Sequence, residues 1–182
     1  MFVLLNMFIG IKYEFHFRET QMKYLYELNL NNKKLIMSNV ANLCDKDAYI
    51  CRGCASGELR DSIIHLLSGT IIDTIEDNCI CSGNVCNIEE GIIKSFLISG
   101  IEIKFLMAIL SHFRSSVNDL IFKKLDDKNS IFKYVEGNNK YFDSLQLSLF
   151  TQWEDIVKYD FLLKRVFDIA PYGVFIQEGS YI

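Results

Sequence analysis

The chain has 182 residues, of which 50% are hydrophobic and 23% are charged, and its formal net charge is −4. These values suit one domain with an ample hydrophobic core and exclude a wholly disordered chain. A mildly acidic chain whose basic residues cluster only as isolated pairs is a poor binder of phosphates, so we predict no nucleic-acid partner.

The amino-terminal run MFVLLNMFIG is apolar, but it lacks the basic flank and the cleavage site of a signal peptide. The other apolar stretches are interrupted by charges before they reach the roughly eighteen residues that a membrane span requires. We therefore predict a cytoplasmic protein with no membrane partner, in which cysteines are reduced or bound to metal.

Residues 1–40 have the pattern of an antiparallel β-meander. In KYEFHFR every second residue is aromatic, a period of two that is typical of a half-buried strand. KYLYELNL alternates in the same way, NNKK after it is a candidate turn, and LIM supplies a third strand. The amino-terminal part of the chain is therefore predicted to form a sheet.

The rest of the chain has mainly helical patterns. Apolar residues spaced three and four apart predict a helix over 57–76 and another over 87–99. EGNNK is predicted to be a turn, SLQLSLF a strand, and TQWE the start of a last helix that continues to about Ile169. We predict a single α+β domain over 1–182, in which a β-meander (1–40) is followed by a cysteine-containing segment (41–90) and a mainly helical part (91–182).

Six cysteines form two groups, of which CRGC has the spacing that lets two thiolates converge on one ion. CSGNVC in the second group has a glycine and an asparagine that can fold a tight loop. A four-thiolate site of this kind suits structural zinc, with an iron–sulfur cluster as the second choice. The predicted ligands are Cys51, Cys54, Cys81 and Cys86, with Cys44 and Cys79 as spares.

One shared site depends on the helix between the two cysteine groups. An unbroken helix over 57–76 is about 30 Å long and would hold the groups apart. Convergence therefore requires a break, for which Ser68 to Thr70, around Gly69, is the only candidate. Without it, the cysteines are packing residues or, at Cys51 and Cys54, a redox pair.

The last predicted helix is apolar on more than one side, which is typical of a helix that is buried twice or that contacts a partner. Trp153, Phe161 and Phe167 are the predicted interface residues, because aromatic side chains anchor protein interfaces. The favoured function is that of a small regulatory, adaptor or inhibitor protein that binds another protein or a second copy of itself. The alternative is a redox or iron–sulfur enzyme that uses the same cysteines; no catalytic residue is predicted.

Overall fold

A computed structural model describes most of the chain between residues 20 and 169. The backbone is described for 20–48, 50, 57–80 and 90–169, and the side chains for 20–48, 50, 57–75 and 91–159. The main helices are α1 (20–31), α2 (Lys33–Lys46), α3 (Gly57–Ile80), α4 (Glu90–Ile98), α5 (Ile103–Lys124) and α6 (Lys128–Ile169).

The predicted α+β fold class is wrong. The described residues are 92% helical and include no strand, and the second and third predicted strands lie in α1 and α2. In α1, burial follows the helical period, since Leu25 and Leu28 are buried. Leu30, which a strand would place on the same face as Leu28, is 47% exposed. The first predicted strand lies outside the described residues.

The predicted turn at NNKK coincides with an interruption of the helical backbone, but the elements on either side of it are helices, not strands. Asn32 separates α1 from α2, with a φ of −119° and a ψ of 16°. Its side-chain amide donates a hydrogen bond to the carbonyl oxygen of Leu28 (2.7 Å), so it satisfies an acceptor at the end of α1. The local signal for a turn was therefore correct, whereas the strands assigned on either side were not.

Helices α5 and α6 form an antiparallel hairpin. At the start of α6, Asp127 caps the helix by accepting a hydrogen bond from the backbone N–H of Ser130 (2.8 Å). The hydrogen bonds with Ser130 lower the pKa of Asp127, so its carboxylate stays ionised beside the positive end of the helix. The hairpin turn is thus specified by a local residue.

Polar side chains fix the register of this hairpin. Asn118 donates to the side-chain oxygen of Asn139 (3.1 Å), and one turn away Arg114 donates to Asp143 (2.6 Å). Continuing this register places the start of α5, at Ile103, opposite residue 154. The residues of α6 after 154 therefore extend about 22 Å past Ile103, the first residue of α5.

The other helices pack around the hairpin. α2 packs against α5 and α3, and α4 packs against α6. α1 packs on the first turns of α6, where the rings of Tyr24 and Tyr134 lie 4.2 Å apart between centroids. The tyrosine hydroxyl of Tyr141 in α6 lies 3.1 Å from the carbonyl oxygen of Ile71 and so ties α3 to the same helix.

Candidate functional site

The structure does not test the predicted metal ligands. Cys51, Cys54, Cys81 and Cys86 lie outside the described residues, and Cys79 is described only as backbone in α3. Metal binding by these cysteines stays a prediction. The remaining spare ligand, Cys44, is fully buried in the hydrophobic core beside α2 residues such as Val40. Among the residues with described side chains, no group of three or more His, Cys, Asp or Glu is placed to hold a metal ion, so the metal-binding prediction has no support there.

Helix α3 restricts how the two cysteine groups can combine. It continues from Gly57 to Ile80 without interruption, so the break that a shared site requires at residues 68–70 does not occur. The two ends of α3 are about 35 Å apart. Cys54 precedes the helix by three residues, which reach about 10 Å, and Cys81 follows directly. Cys54 and Cys81 of one chain therefore cannot bind the same ion.

Replacing Gly69 by alanine is expected to stabilise the protein by about 0.5–1 kcal/mol, because glycine is a poor residue in a helix interior. A methyl group at Gly69 would meet no atom within 4 Å. The measurement is urea unfolding followed by circular dichroism at 222 nm. A loss of stability would show that residues 68–70 need a non-helical backbone, and it would restore the shared site.

A hydrogen bond joins the residue that follows α2 to α5. The Nε2 atom of His112 lies 3.2 Å from one carboxylate oxygen of Asp47, whose other oxygen accepts a hydrogen bond from the backbone N–H of Ile50 (3.3 Å). A second contact joins α2 to α3, where the guanidinium group of Arg60 forms an ion pair with the carboxylate of Asp45. These contacts hold the chain between α2 and α3 on both sides of the CRGC group, and we assign them a structural role.

The three predicted interface residues lie on α6 and have different outcomes. Trp153 is only 9% exposed and belongs to the hydrophobic core, together with Leu145 and Leu149. It therefore has little area left for a partner to cover. Phe161 and Phe167 lie on the backbone of α6, but their side chains are outside the described residues. Their interface role stays a prediction.

A different set of apolar side chains on α6 is exposed. Leu147 is 67% exposed, and Phe150 and Val157 are each 43% exposed. Because they are separated by three and seven residues, they lie along one side of the helix, next to the buried side. We call these three residues the α6 strip.

The sequence pattern missed Leu147 because of an error in the predicted period. SLQLSLF was predicted to be a strand, which would place Leu145, Leu147 and Leu149 on one face. In the helix, Leu145 and Leu149 are four residues apart and fully buried, whereas Leu147 points away from them. A helical reading of the same letters would have identified the exposed leucine.

The chain matches no protein-family model, and no curated protein or solved structure matches it. None of the helices in the described part of the chain combines the length and the apolar character that crossing a bilayer requires. The candidate site is therefore argued from geometry alone, and the α6 strip is the surface on which we base it.

Proposed function

We propose that this chain acts by binding another protein through the α6 strip, as a regulatory, adaptor or inhibitor protein. The observation that supports this function is that Leu147, Phe150 and Val157 are exposed along one side of α6 while its other side packs into the core. Large apolar side chains in a row at helical spacing are the usual anchors of a helix that lies in a partner's groove.

The length of α6 favours the same function. Its 42 residues rise about 63 Å, against about 33 Å for the 22 residues of α5. The part of α6 beyond residue 154 therefore has no α5 backbone beside it, and Val157 lies there. In this part Val157 is exposed, whereas its neighbour Ile156 still packs against the core.

The remaining predictions enter this proposal with different support. We propose a cytoplasmic location, since cysteines that are reduced or bound to metal are typical of that compartment. Zinc stays a prediction, and a site that combines Cys54 with Cys81 would need two copies of the chain. The redox or iron–sulfur enzyme also stays a prediction, because its residues lie in the cysteine groups.

We expect the double variant Leu147→Ser/Phe150→Ser to lose partner binding but to stay folded, with its free energy of unfolding lowered by about 1–3 kcal/mol, because Leu147 is 67% exposed and Phe150 is 43% exposed. A photo-crosslinking amino acid at position 157, used in extract from the protein's own cells, identifies the partner. The crosslinked band should disappear in the double variant. The matched control is Phe132→Ser, which replaces a side chain of the same helix that is 73% exposed.

Two results would contradict the proposal. The first is a crosslinked band that persists in the double variant, and the second is an equal loss of the band in the Phe132→Ser control. Light scattering on the purified chain separates a second copy from a different protein, since self-association gives a dimer in the absence of extract.

A further inference from the structure

Two lysine pairs that are far apart in the sequence lie at the same end of the helical bundle. The pairs are 33–34, at the start of α2, and 123–124, at the end of α5. The hydrogen bond between Asn118 and Asn139 sets the register of α5 against α6. Five residues nearer to the hairpin turn on each helix, Tyr134 therefore lies opposite residue 123.

The first lysine pair is brought to this level by α1. The ring of Tyr24 lies against that of Tyr134, with centroids 4.2 Å apart. Lys33 follows nine residues later, so it lies within about 15 Å of the same level along the bundle axis. From Lys33, α2 runs away from this end of the bundle. Asp47, which follows the last residue of α2, contacts His112, and His112 lies about 17 Å from residue 123 along α5.

This end of the bundle has the opposite charge from the whole chain. We define the basic end as residues 27–35 and 122–133. It has six lysines and three carboxylate side chains, a net charge of +3, in a chain whose net charge is −4. The lysines are Lys33, Lys34, Lys123, Lys124, Lys128 and Lys133.

The basic end also has large exposed apolar side chains. Phe122 is 58% exposed and Phe132 is 73% exposed, on the two helices that flank the hairpin turn. Leu30 and Leu35, on either side of the break between α1 and α2, are 47% and 49% exposed. Phenylalanine and leucine among lysines are typical of surfaces that lie in the interface of a membrane.

We propose that the basic end docks on the surface of a lipid bilayer that contains anionic lipids, in place of the predicted absence of a membrane partner. The lysine ammonium groups contact the anionic headgroups, and Phe122 and Phe132 enter the region between the headgroups and the acyl chains. The cytoplasmic leaflet carries such lipids, so the proposed location of the chain and this surface agree. The α6 strip lies outside the basic end, so the two proposals are independent.

A bilayer suits this end better than the other anionic partners. The apolar side chains lie on the helices that flank two interhelical turns at the end of a bundle, and a fluid bilayer accepts exposed side chains without a complementary shape. A nucleic acid would be attracted by the lysines, but Asp126 and Asp127 lie in the same hairpin turn and would face its phosphates. Headgroups of zwitterionic lipids between the anionic ones tolerate these carboxylates.

The test is flotation of the full chain with phosphatidylcholine vesicles that contain about 30% phosphatidylserine, compared with phosphatidylcholine alone. We expect binding to the anionic vesicles at about 0.1 M salt and release at about 0.5 M, where surface charges are screened. Lys123→Gln/Lys124→Gln should weaken binding at least ~10-fold, since each lysine near the surface contributes roughly five-fold. The control Lys104→Gln/Lys158→Gln makes the same change of charge near the opposite end of the hairpin and should leave binding unchanged.

The apolar contribution is tested by Phe132→Ser, with Tyr159→Ser, at a position that is 64% exposed on the same helix, as its control. We expect Phe132→Ser alone to weaken vesicle binding. No binding to anionic vesicles, or equal weakening by test and control variants, would overturn the proposal. Tighter binding to a single-stranded oligonucleotide than to vesicles would also overturn the proposal. If the lysine variant loses this oligonucleotide binding and Phe132→Ser keeps it, the surface binds nucleic acid. Circular dichroism confirms that each exposed-site variant is folded.

Discussion

Replacing Trp153 by alanine is expected to lower the free energy of unfolding by about 3–5 kcal/mol, the usual cost of removing a large aromatic side chain from a core. Trp153 is 9% exposed and belongs to the core cluster, with Leu149 one turn before it. Urea unfolding monitored by circular dichroism measures the change. If the loss is this large, the tryptophan holds α6 against the bundle and does not serve mainly as a contact for a partner.

The matched control is Phe150→Ala, three residues earlier on the same helix. Phe150 is 43% exposed, so its truncation should cost much less than that of Trp153. A small loss in both variants would mean that the middle of α6 is not docked in solution, and Trp153 would then return to the set of interface residues. A large loss in both would remove Phe150 from the α6 strip.

The helices that could be predicted from the sequence are those whose apolar period matches their burial. In α3, Ile63, Leu67 and Ile71 recur every four residues, and all three are buried. The last helix was predicted to begin at Thr151 and continue to about Ile169; the residues up to Ile169 are helical, but the helix begins at Lys128. In KYLYELNL, by contrast, tyrosine and leucine alternate by chance with a period of two, while the buried residues Leu25 and Leu28 are three apart. An apolar alternation over eight letters does not distinguish these two cases.

Polar segments misled the prediction for another reason, which is that their partners are remote in the sequence. SVND has the residue types of a capping box at a helix start, yet Ser116 is buried in the middle of α5. EGNNK was expected to be a turn, yet it lies inside α6, where Asn138 and Asn139 bond to α5. A turn and an interhelical polar contact use the same residue types, and only the tertiary partner decides between them.

The candidate surfaces could be predicted only in part. The sequence pattern indicated that α6 has apolar residues on its exposed surface as well as on its buried side. The predicted interface residues, however, included Trp153, which is buried, and did not include Leu147. In the sequence the lysine pairs at 33–34 and 123–124 are isolated from each other, and their separation along the chain hides their common position. Their convergence depends on the α5–α6 register and on the contact of α1 with α6, neither of which has a local signal.

Replacing Asn138 by alanine is expected to lower the free energy of unfolding by about 2–3 kcal/mol. Asn138 is 1% exposed, and its side-chain amide donates to the side-chain oxygen of Asn118 (2.9 Å) and to the carbonyl oxygen of Arg114 (3.3 Å). Alanine would remove both hydrogen bonds, and the half-buried side-chain oxygen of Asn118 and the carbonyl oxygen of Arg114 would each lose a donor. Urea unfolding of Asn138→Ala measures the loss, and Asn129→Ala, at an exposed position of the same helix, should change stability by less than about 0.5 kcal/mol.

A double-mutant cycle separates the hydrogen bond from the effect of a cavity. If Asn118 and Asn138 act as a pair, Asn118→Ala/Asn138→Ala should cost less than the sum of the two single variants, because the second substitution removes a partner that is already lost. Simple additivity would mean that the two asparagines contribute separately. A neutral Asn138→Ala would mean that the contacts of Asn138 are not needed for the α5–α6 register. The position of residue 123 opposite Tyr134, on which the basic end depends, would then rest on the hydrogen bonds of Asn118 with Asn139 and of Arg114 with Asp143, and a crosslink between the two helices would test it.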